Sequence, residues 1–295
     1  MARKILLVGD NPFHGVSHFS QERVRARNEK ILDPAGAVEI VKKSIENGAD
    51  GFMFSVSEMT LDIVRSLLSP TRELRYYAIV PAAGDYVRLS SQVGTMGLVT
   101  YVAKQTIRSK NVAAIANGVR GVLLSDMNAL LKAYLGYEVS RINNSLGNRG
   151  KLYSLMLHEL VTEMAMALDM DWLIRTHIEY LTKRGIKPGF ETRNFSYLVN
   201  KLRKWEISTS NIVITAPFNA LGYQMNPNRG DCENALRIVP EAEVIAMSIL
   251  ASGYLKLPEA IDYIKSLPQL SGVVVGVSSD KHARDFGILK EALEN

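Results

Sequence analysis

The sequence predicts an α/β protein of the (β/α)8 class, a TIM barrel, as a single domain over residues 1–295. Eight short apolar runs alternate with longer amphipathic stretches, and eight strand–helix units is the number that this barrel needs. Most of the runs are apolar throughout, which is typical of parallel strands covered on both faces. An open doubly wound sheet is disfavoured because no G-x-G-x-x-G motif follows an early strand.

The predicted strands are, in chain order, residues 5–9, 51–55, 76–80, 154–158, 188–191, 212–216, 244–247 and 273–276. Helical patterns lie between them. Residues 37–47 place apolar side chains on one face and end at Gly48, and residues 172–184 end in the same way at Gly185. Residues 258–267 begin with a proline, which suits the first turn of a helix.

The connection after the third strand is the one place where the chain is longer than a barrel requires. The 295 residues compare with ~250 for a typical barrel, and residues 82–153 separate the third and fourth predicted strands. Residues 96–108 and 128–138 within this gap have helical patterns. We expect a helical insertion on the C-terminal face of the barrel, serving as a lid or as a contact in a homo-oligomer.

Charge and composition exclude several classes of protein. The 35 Lys and Arg against 30 Asp and Glu are scattered rather than gathered in a basic stripe, which argues against nucleic-acid binding. No apolar run approaches the ~18–20 residues of a membrane span, and the N-terminal apolar run is too short for a signal peptide, so we expect a cytoplasmic protein. Cys232 is the only cysteine, which excludes an internal disulfide and a cysteine-based zinc site.

Ionisable side chains gather where the predicted strands end, on the rim that carries the active sites of TIM barrels. The candidate catalytic residues are Asp10 and His14 after the first strand, His158 and Glu159 where the fourth ends, and Glu191 at the end of the fifth. Histidine is the side chain best suited to proton transfer near neutral pH.

Glu159 and Glu191 follow neighbouring strands, so their carboxylates can share a site and divide into acid and base roles. The alternative is that Glu191 pairs with Arg193 or Lys187.

The five histidines are unevenly placed. Four of them fall at predicted strand ends: His14, His18, His158 and His282. The fifth, His177, is predicted within a helix as a partly buried or surface residue. His14 and His18, completed by His158, Glu159 or Glu191, leave a divalent metal site open as an alternative. The metal, if any, stays unknown.

The loop after the last strand predicts an anion site. Gly276 allows close approach to the backbone, Ser278 and Ser279 supply hydroxyl groups, and Lys281 supplies a charge near the start of a helix. A phosphate commonly binds in the loops after the last two strands of such barrels. The alternative is an ordinary serine cap that binds nothing, and the first-turn carboxylate of Asp280 argues for it.

Several segments resemble the aldo-keto reductase-like TIM barrels. Leu155-Met-Leu-His158 is similar to the family's strand that ends in the active-site histidine, and the segment 185–196 looks like its strand ending in Ser-Asn-Phe. Val273-Val-Val-Gly-Val-Ser-Ser279 resembles the final strand and loop that clamp the adenosine phosphate. The resemblance implies NADP as cofactor, with Asn194 against the nicotinamide amide. We add Asn219, from the loop after strand six, to the cofactor contacts.

The chain departs from that family at three of its four catalytic positions. Phe54 or Ser55 stands at the aspartate position, no tyrosine follows, and Val80 and Pro81 stand at the lysine position. Only His158 has a counterpart, so the usual proton donor is missing.

We therefore expect an enzyme, of a class left open, that acts on a small polar, phosphate-bearing metabolite by His/Glu acid–base chemistry. Two alternatives stay open: an NAD(P)H-dependent reductase with a replaced proton donor, and a barrel that binds a metabolite without catalysis.

Overall fold

The computed structural model describes residues 3–14, 34–67, 73–81, 126–148 and 150–294. Eight parallel strands follow one another around a closed barrel in chain order. The first and last strands pair directly, from Ile5 opposite Gly272 to Gly9 opposite Gly276. This pairing confirms the (β/α)8 class and excludes an open sheet.

The strands are β1 (Ile5–Gly9), β2 (Gly51–Ser55), β3 (Arg75–Val80), β4 (Lys151–Leu157), β5 (Lys187–Glu191), β6 (Val213–Pro217), β7 (Glu243–Met247) and β8 (Gly272–Gly276). The α-helices of the described residues are α1 (Pro34–Glu46), α2 (Glu58–Leu67), α3 (Met127–Leu146), α4 (Glu159–Ala167), α5 (Asp171–Thr182), α6 (Phe195–Lys204), α7 (Arg229–Ile238), α8 (Leu257–Lys265) and α9 (Asp280–Glu294). None of these helices is long and apolar enough to cross a membrane.

Successive side chains of each strand point alternately outward, toward the helices, and inward, into the barrel. Both sets are buried. Outward residues such as Leu6 and Phe52 belong to the large apolar layer that the helices cover. Inward residues form a second cluster that fills the barrel: Leu7, Met53, Tyr77, Ile79, Met156, Val213 and Ile245. The strands approach so closely at Gly51 that a Cβ atom there would lie 2.0 Å from the carbonyl oxygen of Arg75.

A polar network closes the N-terminal end of the barrel. The Glu243 carboxylate accepts hydrogen bonds from the hydroxyl groups of Tyr77 and Tyr153, at 2.6 and 2.7 Å, and from Lys187 Nζ at 2.9 Å. Because the buried carboxylate has these partners, its desolvation is offset. The network lies at the opposite end of the barrel from the predicted catalytic rim.

The described part of the predicted insertion belongs to the barrel. Within residues 82–153, α3 packs against α2 and α5 in the outer ring, and β4 begins at Lys151 rather than at residue 154. Residues 82–125 lie outside the described residues, so an insertion on the C-terminal face stays a prediction. His18 and the side chain of His14 also lie outside them.

His177 differs from its predicted position. It lies in α5 with 0% of its surface exposed, and its ring packs 5.4 Å from that of Phe190. Leu173 and Leu181, four residues before and after it, are also buried. The helical period of 3.6 therefore places the imidazole on the face that covers the sheet.

Candidate active site

Two ionisable side chains, those of His158 and Glu191, meet at the C-terminal rim of the barrel, at the ends of β4 and β5. Glu191 is the last residue of β5, and His158 follows β4 directly. A Cβ atom on Gly189 would meet the inward side chain of Met156, so Gly189 faces the barrel interior and Glu191, two residues later, faces it too. The Nε2 atom of His158 lies 4.0 Å from Oε2 of Glu191.

His158 is held by its position between a strand and a helix. Its backbone N–H donates to the carbonyl of Val80 at 2.8 Å, and its Nδ1 accepts the N–H of Leu160 at 3.1 Å, which caps α4. An Nδ1 that accepts a hydrogen bond carries no proton, so the neutral ring carries its proton on Nε2, facing Glu191. Burial lowers the pKa of His158, and the nearby Arg193 lowers it further, while Glu159 opposes the shift. The ring is therefore a neutral donor at pH 7.

Glu191 has an unusual environment for a carboxylate. Only 14% of its side chain is exposed, and burial raises its pKa to about 7, with the charges of Glu159 and Asp10 acting in the same direction. The N–H of Glu159 donates to Glu191 Oε2 at 3.2 Å and offsets part of the shift. Because its pKa lies near neutral pH, Glu191 can both take up and release a proton.

Glu159 is engaged in a separate ion pair. Its Oε2 lies 2.7 Å from Nε of Arg193, in the turn after β5. The pair was not among the alternatives weighed from the sequence, where Arg193 was matched to Glu191. Glu159 begins α4, whereas Glu191 faces the barrel interior, and the guanidinium of Arg193 contacts Glu159.

Asp10 lies at the same rim and is almost fully buried. Its Oδ2 accepts the N–H of Ser55 at 2.7 Å, and its carbonyl accepts the N–H of Phe13 at 2.8 Å. The carboxylate thus joins the ends of β1 and β2 and adds negative charge near Glu191. The structure brings together four of the predicted catalytic residues: Asp10, His158, Glu159 and Glu191.

The two asparagines predicted to contact a cofactor are already hydrogen-bonded within the protein. Asn219 is 0% exposed, and its amide donates to the carbonyl of Tyr223 at 2.9 Å and accepts the N–H of Tyr223 at 2.8 Å. The amide nitrogen of Asn194 donates to Glu163. Both side chains therefore stabilise loops of the rim.

Glu163, which the sequence analysis did not single out, fixes the turn after β5. Its Oε1 accepts the hydroxyl of Thr192 at 2.8 Å and the N–H of Arg193 at 3.0 Å, and its Oε2 accepts from Asn194. Glu163 lies four residues after Glu159 in α4, and residues four apart share a helix face. This spacing is the sequence signal that could have placed Glu163 beside the rim.

The loop after β8 has the form of a capped helix start. Ser278 Oγ lies 3.2 Å from His282 Nδ1, and Ser279 Oγ accepts the N–H of His282 at 3.4 Å. Asp280 points outward to Lys43, at 2.9 Å. Gly276 is exposed, although Pro12 lies close enough that a Cβ atom on Gly276 would be 3.1 Å from its Cδ. Lys281 is exposed at the same loop.

A metal site is not found in the part of the chain that the structure describes, where no three histidine, cysteine, aspartate or glutamate side chains are grouped to hold an ion.

Comparison with solved structures identifies the fold. Two structures described as a "putative aldo-keto reductase" from Pseudomonas aeruginosa match 99% of this chain and 92% of theirs, with TM-scores of 0.60 and 0.59 and 13% identity. This chain has an aldo-keto reductase-like fold. The tryptophan synthase α chain of Legionella pneumophila covers as much of this chain at 8% identity, with a TM-score of 0.43. No protein-family model and no curated protein matches the sequence.

The residues of this aldo-keto reductase-like barrel do not fit a nicotinamide cofactor in the predicted way. Asn219 has no exposed surface to offer to a cofactor, and the amide nitrogen of Asn194, which was predicted to lie against the nicotinamide amide, donates to Glu163. Both asparagine contacts predicted for NADP are therefore already engaged within the protein.

Proposed function

We propose that this barrel catalyses proton transfer at a carbon next to a carbonyl group, with Glu191 as the base and His158 as the neutral electrophile. The observation that carries the proposal is the 4.0 Å separation between His158 Nε2 and Glu191 Oε2, at a rim where Glu191 is buried. Such a gap lets one group contact a substrate C–H while the other contacts the neighbouring carbonyl oxygen.

The protonation states support these roles. The pKa of Glu191, raised to about 7, leaves a large ionised fraction at neutral pH and makes the carboxylate a stronger base than an exposed glutamate. The Nε2–H of a neutral His158 can donate to the carbonyl oxygen and stabilise the negative charge that develops there. Asp10 holds the opposite side of the rim, and Glu159 orients the groups through its N–H.

The substrate that we propose is a small polar carbonyl compound, carrying phosphate as the sequence analysis expected. A small-molecule substrate suits a rim lined by ionisable groups from several strands.

The reaction can be detected as exchange of substrate hydrogen with solvent. Wild-type protein is incubated in D2O with dihydroxyacetone, glyceraldehyde and their phosphate esters, and loss of the α-proton signals is followed by NMR. Replacing Glu191 with glutamine is expected to reduce the exchange rate about 100-fold or more, because general-base catalysis contributes about that much. The wild-type rate should rise with pH through about 7 as Glu191 ionises.

Glu241→Gln, at an exposed glutamate, is the matched control and should keep the full rate. Exchange that persists within threefold in Glu191→Gln would contradict the assignment of the base. A carbon-13 titration of the Glu191 carboxyl group, which needs no substrate, tests the same point: a pKa below 5 removes the basis of the proposal.

The NAD(P)H-dependent reductase is the second candidate, favoured by the fold similarity alone. Enhanced NADPH fluorescence on mixing, followed by oxidation of NADPH with one of these carbonyl compounds and no solvent exchange, would favour it. If replacing His158 and Glu191 leaves every measurable activity unchanged, a non-catalytic metabolite-binding barrel would be favoured instead.

A further inference from the structure

Arg193 stands at the edge of the candidate active site with most of its hydrogen-bonding capacity unused. Its Nε lies 2.7 Å from Glu159 Oε2, but the N–H is not aligned for a hydrogen bond, so the contact is an ion pair. The side chain is 35% exposed. The guanidinium is near enough to lower the pKa of both His158 and Glu191, which places it beside the proposed base and electrophile.

The terminal nitrogens distinguish Arg193 from two other arginines with partly buried contacts, Arg141 and Arg175. Arg141 donates through both Nη atoms, to Glu138 and Glu58, and Arg175 donates through Nη2 to the carbonyl of Trp205. Within the described ranges, neither Nη1 nor Nη2 of Arg193 has a protein acceptor. A guanidinium presents these donors as a rigid fork that matches two oxygens of a carboxylate or a phosphate.

The fork is held in place before any ligand binds. Glu163 accepts the backbone N–H of Arg193 at 3.0 Å and also binds the side chains on either side of it, those of Thr192 and Asn194. Glu159 holds the guanidinium from its Nε side. Because both the backbone and the side chain are anchored, little conformational entropy remains to be lost on binding.

We propose that Arg193 binds an anionic group of the substrate, a carboxylate or a phosphate, through Nη1 and Nη2. The inference rests on the proposed function and names the substrate class: a carbonyl compound with an anionic group close to the reacting carbon. The anion would sit against Arg193 at the end of β5, and not in the loop of Gly276 to Lys281 across the barrel.

Carboxylates near Arg193 do not prevent this binding. Glu159 already forms its ion pair on the Nε side, away from the terminal nitrogens. Asp10 accepts a backbone N–H from β2 and lies at the other side of the rim. An ion at the open end of the guanidinium thus faces two unused donors.

Anion binding can be measured with inorganic phosphate and acetate as probes, at pH 6 and low ionic strength. The reporter is the Hε1 signal of His158, assigned by its loss in His158→Gln. In wild type, one or both anions should shift this signal with saturation, and the tighter of the two identifies the group as phosphate or carboxylate. Arg193→Gln should weaken binding about tenfold or more, since hydrogen bonds to a charged partner are lost, while Arg193→Lys retains part of it.

Arg175→Gln is the matched control, because Arg175 also pairs through Nε with a carboxylate, Asp171, at 3.0 Å. It should leave the anion affinity unchanged. The inference is overturned if wild type binds neither anion at 50 mM, or if Arg193→Gln binds as tightly as wild type, or if binding is lost in Lys281→Ala instead.

Failure of the proposed function gives a different result. Glu191→Gln should keep anion binding, since Arg193 is intact. If the exchange reaction proves independent of Glu191 while Arg193→Gln still loses the anion, the proposed function is wrong and the anion site stands.

Discussion

Replacing Glu191 with glutamine is expected to raise the free energy of unfolding at pH 8 by about 3 kcal/mol and to leave it unchanged near pH 4. In the folded protein the carboxyl group has a pKa of about 7, against 4.5 in the unfolded chain. Between these two values the folded state binds more protons, so stability decreases as pH rises from 4.5 to 7. Glutamine carries no charge and still accepts the N–H of Glu159.

Urea unfolding of wild type and Glu191→Gln at pH 4, 6 and 8 measures this difference. The gap between the two proteins should open as pH rises and then stay constant above about 8. Glu241→Gln should show no gap that depends on pH, because the side chain is exposed. If Glu191→Gln and wild type are equally stable at pH 8, ionisation of the Glu191 carboxyl group does not destabilise the folded protein. The same variant should be inactive in the exchange assay, so stability and activity change in opposite directions.

Between pH 7 and pH 4, the free energy of unfolding of wild type is expected to fall by about 3 kcal/mol more than that of His177→Leu. Burial lowers the pKa of His177 to about 4, and the nearby backbone of Gly189 and Leu155 offsets only part of that shift. Neither ring nitrogen makes a well-aligned hydrogen bond to a described residue. The unfolded chain takes up the proton near pH 6.5 and the folded chain only near 4, so stability is lost as pH falls between these values.

The measurement compares unfolding of wild type and His177→Leu from pH 7 to pH 4. Wild type should lose more stability over this range, and the difference isolates His177 because the carboxylates of both proteins are the same. Equal pH dependence in wild type and His177→Leu would show that the pKa of His177 is not lowered in the folded protein.

The barrel could be predicted because apolar runs identify buried parallel strands without reference to side-chain contacts. The same reasoning placed His158 and Glu191 at one rim, since any residue directly after a strand must lie there. That reasoning could not predict which partners the side chains at the rim contact. Arg193 turns to Glu159 rather than Glu191, and Asn219 turns inward to Tyr223, and both depend on rotamers that spacing does not determine.

His177 was predicted wrongly for a different reason. Its neighbours four residues away, Leu173 and Leu181, mark the buried face of α5, but histidine is a residue type that is less often fully buried than leucine. An unpartnered imidazole in a core is costly, so the sequence-based expectation was an exposed or half-exposed ring.

The cap that His158 provides for α4 has an evolutionary consequence. Loss of a capping side chain costs about 0.5–2 kcal/mol, whereas loss of the Glu191 carboxylate is favourable to folding at neutral pH. In a lineage released from selection for activity, Glu191 should therefore be replaced early, and His158 should persist for the sake of the helix. A descendant that keeps the histidine beside a neutral residue at position 191 would have lost the proposed base and retained the helix cap.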